Sequence, residues 1–271
     1  MKLFYYLFLF FNSSFLNGQS YYSIDHLPVP GEEICYKIYY NWNFVWIPAG
    51  EIIFSVKENE RRFLFDVNAY SYPSYDSFFK VRDRYYSKVD KQDLLPRWSV
   101  REINEGPYYR YDSIIFDQSK YELTEFYSKH KASPDEIHFE IDKAVLDMLS
   151  AIYFLRALDR EVFEKERKID FSIFFGKTLY DLQVNYLGVE RKRLKSLGKH
   201  QLRHFTIELI DGYVFNEGDM MHIWVSDDNN NLPELIESPI KFGSVKAIIK
   251  SARVLRYPIS VIDTKDNTYD R

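Results

Sequence analysis

A chain of 271 residues with 36 basic and 40 acidic side chains carries a formal charge of −4, which excludes the basic footprint that sequence-independent nucleic-acid binding needs. Cys35 is the only cysteine, so no intramolecular disulfide is available, and no Pro/Ser/Gly-rich linker divides the chain. The length suits one large all-β domain.

The N-terminal stretch reads as a secretory leader: Lys2 precedes an apolar core at 3–11, far short of the roughly 20 residues a membrane span requires. Gly18 and Ser20 offer small residues for cleavage, and a cut after Gly18 is expected. That leaves 35 basic against 40 acidic side chains in a mature domain over 19–258, followed by a polar, frayed tail over 259–271. No later stretch is apolar enough to span a bilayer, so an exported, soluble protein is expected, periplasmic or extracellular. Cys35 lies too far downstream to be a lipid-modified cysteine. Its place in an alternating run suits a buried, inert thiol.

From Ile34 onward, apolar and polar residues alternate with period two, the mark of a strand with two unlike faces. Runs at 34–42, 51–57, 62–70, 78–89, 96–103, 108–116, 121–127 and 136–141 are separated by turn-forming clusters such as Asn104-Glu105-Gly106-Pro107. Such short connections favour antiparallel meanders. One helix interrupts the pattern at 143–159, with Asp142 as expected N-cap. Its polar positions Lys143, Asp147 and Ser150 form a narrow stripe, and apolar residues including Leu149, Ile152 and Tyr153 cover most of the rest. A helix of that kind must be buried on several sides. Strand runs resume at 169–175, 178–186, 190–197, 203–210, 220–225, 234–241 and 245–255. The expected fold is mostly β: a large curved antiparallel sheet, or open barrel, wrapped around one buried helix. The 49 aromatic side chains suit a bulky sheet core, with an aromatic-lined cavity as the alternative.

Several words recur in order along these runs: Gly31-Glu32 with Ile34 and Tyr36, Ile47-Pro48-Ala49-Gly50, Asp83-Arg84-Tyr85, Leu94-Leu95-Pro96, and Asp147 with Leu149-Ser150-Ala151 and Tyr153. Tyr186-Leu187-Gly188, Trp224-Val225-Ser226-Asp227-Asp228 with Pro233, and Gly243-Ser244-Val245-Lys246-Ala247 complete the set. Together they resemble the exported bacterial family known as domain of unknown function 3108, over roughly 31–255. The resemblance implies an envelope-exported, β-rich domain and supplies no reaction, ligand or catalytic residue. The aromatic and Asn content is similar to that of Bacteroidota proteins.

Candidate chemistry is sparse. Asp147 and Ser150, three apart on the helix, together with Tyr153, either hold a ligand head group or satisfy backbone and tyrosine partners at the inner wall of the sheet. Arg82 and Arg84 share one face of a strand, with Asp83 on the other; they either clamp an anion or form cross-strand ion pairs. Asp227 to Asn231 lack the glycine and glutamate of a calcium loop and suit a hairpin turn. His200 and His204 lie too far apart along a continuous strand to share a metal, and 199–201 reads as a turn. Arg191, Lys192 and Arg193 form the most basic stretch, suited to a solvated sheet edge or to peripheral contact with anionic head groups. No cofactor, metal or nucleic-acid motif is present, and no Gly-x-Ser-x-Gly elbow. The leading expectation is a non-enzymatic envelope protein holding a lipid-like, apolar or amphipathic molecule in the concave face. An interaction scaffold for an envelope protein and an unrecognised hydrolase are the alternatives.

Overall fold

The computed structural model describes residues 22–42, 45–129, 133–194, 198–210, 216–241 and 243–259; the expected leader and all but the first residue of the expected tail lie outside them. The strands are β1 (Glu33–Trp42), β2 (Val45–Glu58), β3 (Arg62–Ser71), β4 (Arg82–Asp90), β5 (Pro96–Glu105), β6 (Tyr108–Asp117), β7 (Glu122–Lys129) and β8 (Asp135–Glu140). A single helical turn, α1 (Pro73–Asp76), separates β3 from β4, and after the longer helices come β9 (Lys168–Phe175), β10 (Thr178–Leu194), β11 (Gly198–Glu208), β12 (Met220–Ser226), β13 (Pro233–Ile240) and β14 (Gly243–Arg253). They form one 14-stranded sheet in the order β8-β7-β6-β5-β4-β3-β2-β1-β14-β13-β12-β11-β10-β9. Every named pair is antiparallel, so the sheet is two meanders joined where β1 pairs with β14. The ladder does not close, because β8 and β9 are its two edges.

The curvature has local causes. Register shifts interrupt β1 between Ile38 and Tyr39 and again between Cys35 and Tyr36, and bulges of this kind bend and twist a sheet. Two glycines of the recurring words answer a close approach of backbones. A Cβ on Gly50 would lie 2.2 Å from the Tyr70 carbonyl oxygen, and one on Gly243 would lie 2.2 Å from that of Asn41.

Period-two alternation dictates which side chains face inward. Phe63, Phe65 and Val67 of β3 are buried together with Val56 of β2 and Val89 of β4. Helix α2 (Met148–Ala157) lies on this surface through Leu149, Tyr153 and Ala157, spaced four apart on one face. The Tyr153 ring stacks on Phe65 at 3.7 Å between centroids. The opposite side of the helix, with Ala151 and then Leu158, packs on Phe171, Ile173, Val184, Tyr186 and Phe205 of the other meander. The helix is thus held between the two halves of the sheet, and each large apolar side chain buried there contributes about 1.5–3 kcal/mol.

Several boundaries differ from expectation. The helix starts at Met148, because Asp147 and Ser150 form a capping box there, and Asp142 caps nothing. Leu146 instead bridges Ile173 in parallel, with its N–H and carbonyl bonded to Ser172 and Phe174, which covers the exposed edge of β9. A second helix, α3 (Arg160–Glu166), follows; its sequence is mostly charged, and Phe163 alone is buried, so no apolar stripe announced it. The runs expected at 178–186 and 190–197 join, as far as Leu194, in one long strand, because Gly188 (φ 118°) makes a bulge between them; 195–197 lie outside the described residues. His200, read as part of a turn, is already within β11.

Candidate functional site

Asp147, Ser150 and Tyr153 are buried in the helix–sheet contact. Ser150 N–H donates to Asp147 Oδ1 at 2.7 Å, Asp147 N–H donates to Ser150 Oγ at 2.8 Å, and the Ser87 hydroxyl donates to Asp147 Oδ2 at 2.5 Å. Burial pushes the Asp147 carboxyl up, and these donors oppose it. The polar stripe of the helix is therefore committed to starting it and seating it on β4. One turn on, Arg156 makes a buried two-pronged pair with Glu32, at 2.8 and 3.1 Å.

Arg82 and Arg84 do share a face, but it is the convex one, opposite the buried Ser87 and Val89. Arg82 pairs with Asp76 at 2.7 Å, and Arg84 takes Asp66 through two N–H groups at 2.7 and 3.1 Å. Two separate carboxylates hold them, so they do not converge on a shared point. The basic stretch is split by alternation: Arg191 and Arg193 are exposed, whereas Lys192 lies 3.4 Å from the centre of the Trp224 ring. His204 bonds His222 at 2.9 Å and stacks on Trp224, while His200 is fully buried against Glu234 at 2.7 Å. Among the described residues no group of three or more His, Cys, Asp or Glu is placed to hold a metal ion.

The inward side of β4–β7 carries a different arrangement. Directly opposed residues share a face, and Tyr85 opposes Arg101, Arg101 opposes Asp112, and Asp112 opposes Tyr127, one row across four strands. Ser87, two residues beyond Tyr85, touches the helix, so the row belongs to the concave side. Asp83 and Glu105 flank it on β4 and β5; Arg110 and Glu125 flank it on β6 and β7.

Two carboxyl pairs stand in this row. Asp83 and Glu105 are hydrogen-bonded to each other, and the Asn104 N–H donates to Asp83 Oδ1 at 2.8 Å. Desolvation, then the charge of Asp83, pushes the Glu105 carboxyl up to about 7, so the pair takes up a proton well above the ordinary carboxylate range. Asp112 takes Arg101 Nη2 at 2.5 Å and Arg110 Nε at 2.8 Å on the same oxygen. Glu125 leans on Asp112, with Arg110 no nearer than 4.0 Å, and burial followed by the charge of Asp112 raises its carboxyl too.

The β9–β10 turn closes the other side. Gly176 and Lys177 both have positive φ, 60° and 73°, the pattern of a tight two-residue hairpin turn. That turn brings Lys177 Nζ to 3.9 Å from the centre of the Tyr127 ring and Phe175 to 4.3 Å from the Arg101 guanidinium. The result is a recess with a charged floor and aromatic walls, only partly screened from solvent: the side chains of Arg101 and Arg110 keep 13% and 19% exposure. A separate depression of about 530 Å³, lined by Glu122, Leu123, Thr124, His138, Phe139 and Glu140, lies further along the β7–β8 pair.

Sequence reasoning passed over Arg101, Arg110, Asp112 and Glu125 because each sits in an ordinary alternating run, and it read Glu105 as part of a turn. The available signal was phase: Arg110 and Asp112 share the parity of Ile114 and Phe116, and Glu125 shares that of Leu123, so charge falls where the pattern demands core.

A match to the family described as "Protein of unknown function (DUF3108)" spans residues 35–250. No curated protein matches the chain by sequence. In structure it is similar to the crystal structure of a β-barrel-like protein of domain of unknown function DUF1849 from Brucella abortus. The two share 8% identity at a TM-score of 0.58, over 88% of this chain and 100% of that one, which is a likeness of fold alone. With four fifths of its length matched, the chain belongs to the DUF3108 family of proteins of unknown function.

Proposed function

We propose that the protein is a non-enzymatic component of the cell envelope that holds an amphipathic molecule in the recess between β4–β7 and the β9–β10 turn. One observation carries the reading. Part of the concave surface is filled by α2, whereas another part places ionisable and tyrosine side chains at inward positions, where Arg101 and Arg110 keep partial contact with solvent. Charged groups in such positions cost stability unless fully paired. Their retention beside Phe175, Phe139 and Ile114 suits a ligand with both a polar and an apolar part. The leader read at 1–18 supports an exported location, and no helix among the described residues is long and apolar enough to cross a membrane. Purification from the native host, followed by solvent extraction and mass spectrometry, tests the proposal. Recovery of one amphipathic species in near-stoichiometric amount is expected; protein free of any extractable molecule overturns it.

A second, catalytic reading rests on Asp83 and Glu105, which no Arg or Lys partners among the described residues. Carboxyls in mutual hydrogen-bond contact are too close for the glycosidase arrangement, which needs about 5 Å or more between them. They suit a proton-sharing pair that activates water. Hydrolysis of a chromogenic ester or peptide panel, abolished in Asp83→Asn, would favour it over the carrier reading.

A further inference from the structure

We infer that the recess is built for an anionic end group, a carboxylate or phosphate bearing an apolar chain, gripped by Arg101 and Arg110 with Lys177 at the rim. The inference rests on the recess being the binding site and adds the chemistry of the ligand.

The charge count points this way. Both guanidiniums converge on a single Asp112 oxygen, at 2.5 and 2.8 Å, placing two cations beside one anion. The second carboxyl does not redress the balance. Glu125 is 99% buried, stands 4.0 Å from Arg110, and one of its oxygens, Oε2, accepts no hydrogen bond. It faces Asp112, and burial followed by the charge of Asp112 raises its carboxyl. Lys177 adds a third cation at the turn, over the face of Tyr127. Three cations, Arg101, Arg110 and Lys177, thus gather about the two carboxyls of Asp112 and Glu125, inside a domain whose overall charge is negative.

Donor geometry agrees. Arg101 commits Nε and Nη2 to Asp112, and the rest of its five-donor fork meets no acceptor among the described residues. Arg101 and Arg110 keep part of their side chains exposed, and a guanidinium fork matches the paired oxygens of a carboxylate or phosphate. Phe175, against the Arg101 plane, and Ile103, opposite Arg110, supply apolar surface next to the head-group position.

Binding of dodecanoate, dodecyl phosphate, methyl dodecanoate and inorganic phosphate to the purified, delipidated protein tests this by calorimetry. The two charged amphiphiles should bind at least about tenfold more tightly than the methyl ester, a difference of about 1.4 kcal/mol. Lys177→Ala, at the tip of the β9–β10 turn, should weaken both several-fold. Arg101→Lys keeps the charge but loses the fork, and should weaken them further while leaving the ester unaffected. Equal binding of acid and ester, insensitive to both substitutions, overturns the anion inference and leaves the carrier reading standing. Binding of inorganic phosphate as tightly as dodecyl phosphate, lost in both variants, supports the anion site and removes the carrier reading. No binding of any of the four overturns both.

Discussion

Glu105→Gln should make the protein more stable above neutral pH and leave it unchanged in acid. In the folded state the Glu105 carboxyl is raised to about 7 from a reference of 4.5. Below the unfolded value both states are protonated, and the group contributes no difference. Between about 4.5 and 7 the folded state holds a proton that the unfolded chain has released, so stability falls as pH rises through this window, and the loss is complete above it. At about 1.4 kcal/mol per unit the full shift corresponds to about 3 kcal/mol, and partial solvent access reduces that to about 1–2 kcal/mol. Glutamine cannot ionise, and its amide still donates to Asp83, whose other bond from the Asn104 N–H is kept. Urea unfolding of both proteins at pH 5 and pH 8 gives the double difference, in which other titrating groups cancel. The variant should gain about 1–2 kcal/mol at pH 8 relative to pH 5, or about 2–6 °C in Tm for a domain of this size. A double difference under about 0.5 kcal/mol would refute the shared proton, and with it the account of the recess as a place where carboxyls are held partly neutral.

Arg156→Met should cost about 3–5 kcal/mol, because it strands the buried Glu32 carboxylate, and Glu32→Leu in the same chain should recover most of it; chemical denaturation reads both. Asp147→Ala should cost about 1–3 kcal/mol through loss of the helix cap and of the Ser87 bond, while Asp142→Ala should change stability by less than about 0.5 kcal/mol. Equal effects of the two would return the helix start to its expected place. Cys35 is buried, and desolvation followed by the adjacent Glu51 lifts its thiol to about 11, so a thiol reagent at pH 8 should label it only as fast as the domain opens. Rapid stoichiometric labelling of native protein would contradict that.

Much of the architecture was legible before any coordinates. Period-two alternation depends only on neighbours in the chain, and it placed the strands, their antiparallel order and the one strongly apolar helix, because the side-chain period of a strand and the breadth of the apolar face of a helix are local properties. Local pattern also misled locally: Asp142 looked like a cap until Asp147 and Ser150 proved to close the box, and 187–189 looked like a break between two strands until β11 paired across it. What the chain order alone could not decide was company. Arg101, Asp112 and Glu125 lie on three strands, and only the register of β5, β6 and β7 makes them neighbours. Which side of a curved sheet is concave is equally a property of the whole: it turned Arg82 and Arg84 outward to Asp76 and Asp66, and turned Asp83 inward to Glu105. Side-chain alternation is written residue by residue, whereas a binding surface is assembled from residues far apart in sequence, and only the tertiary structure brings their charges to one place.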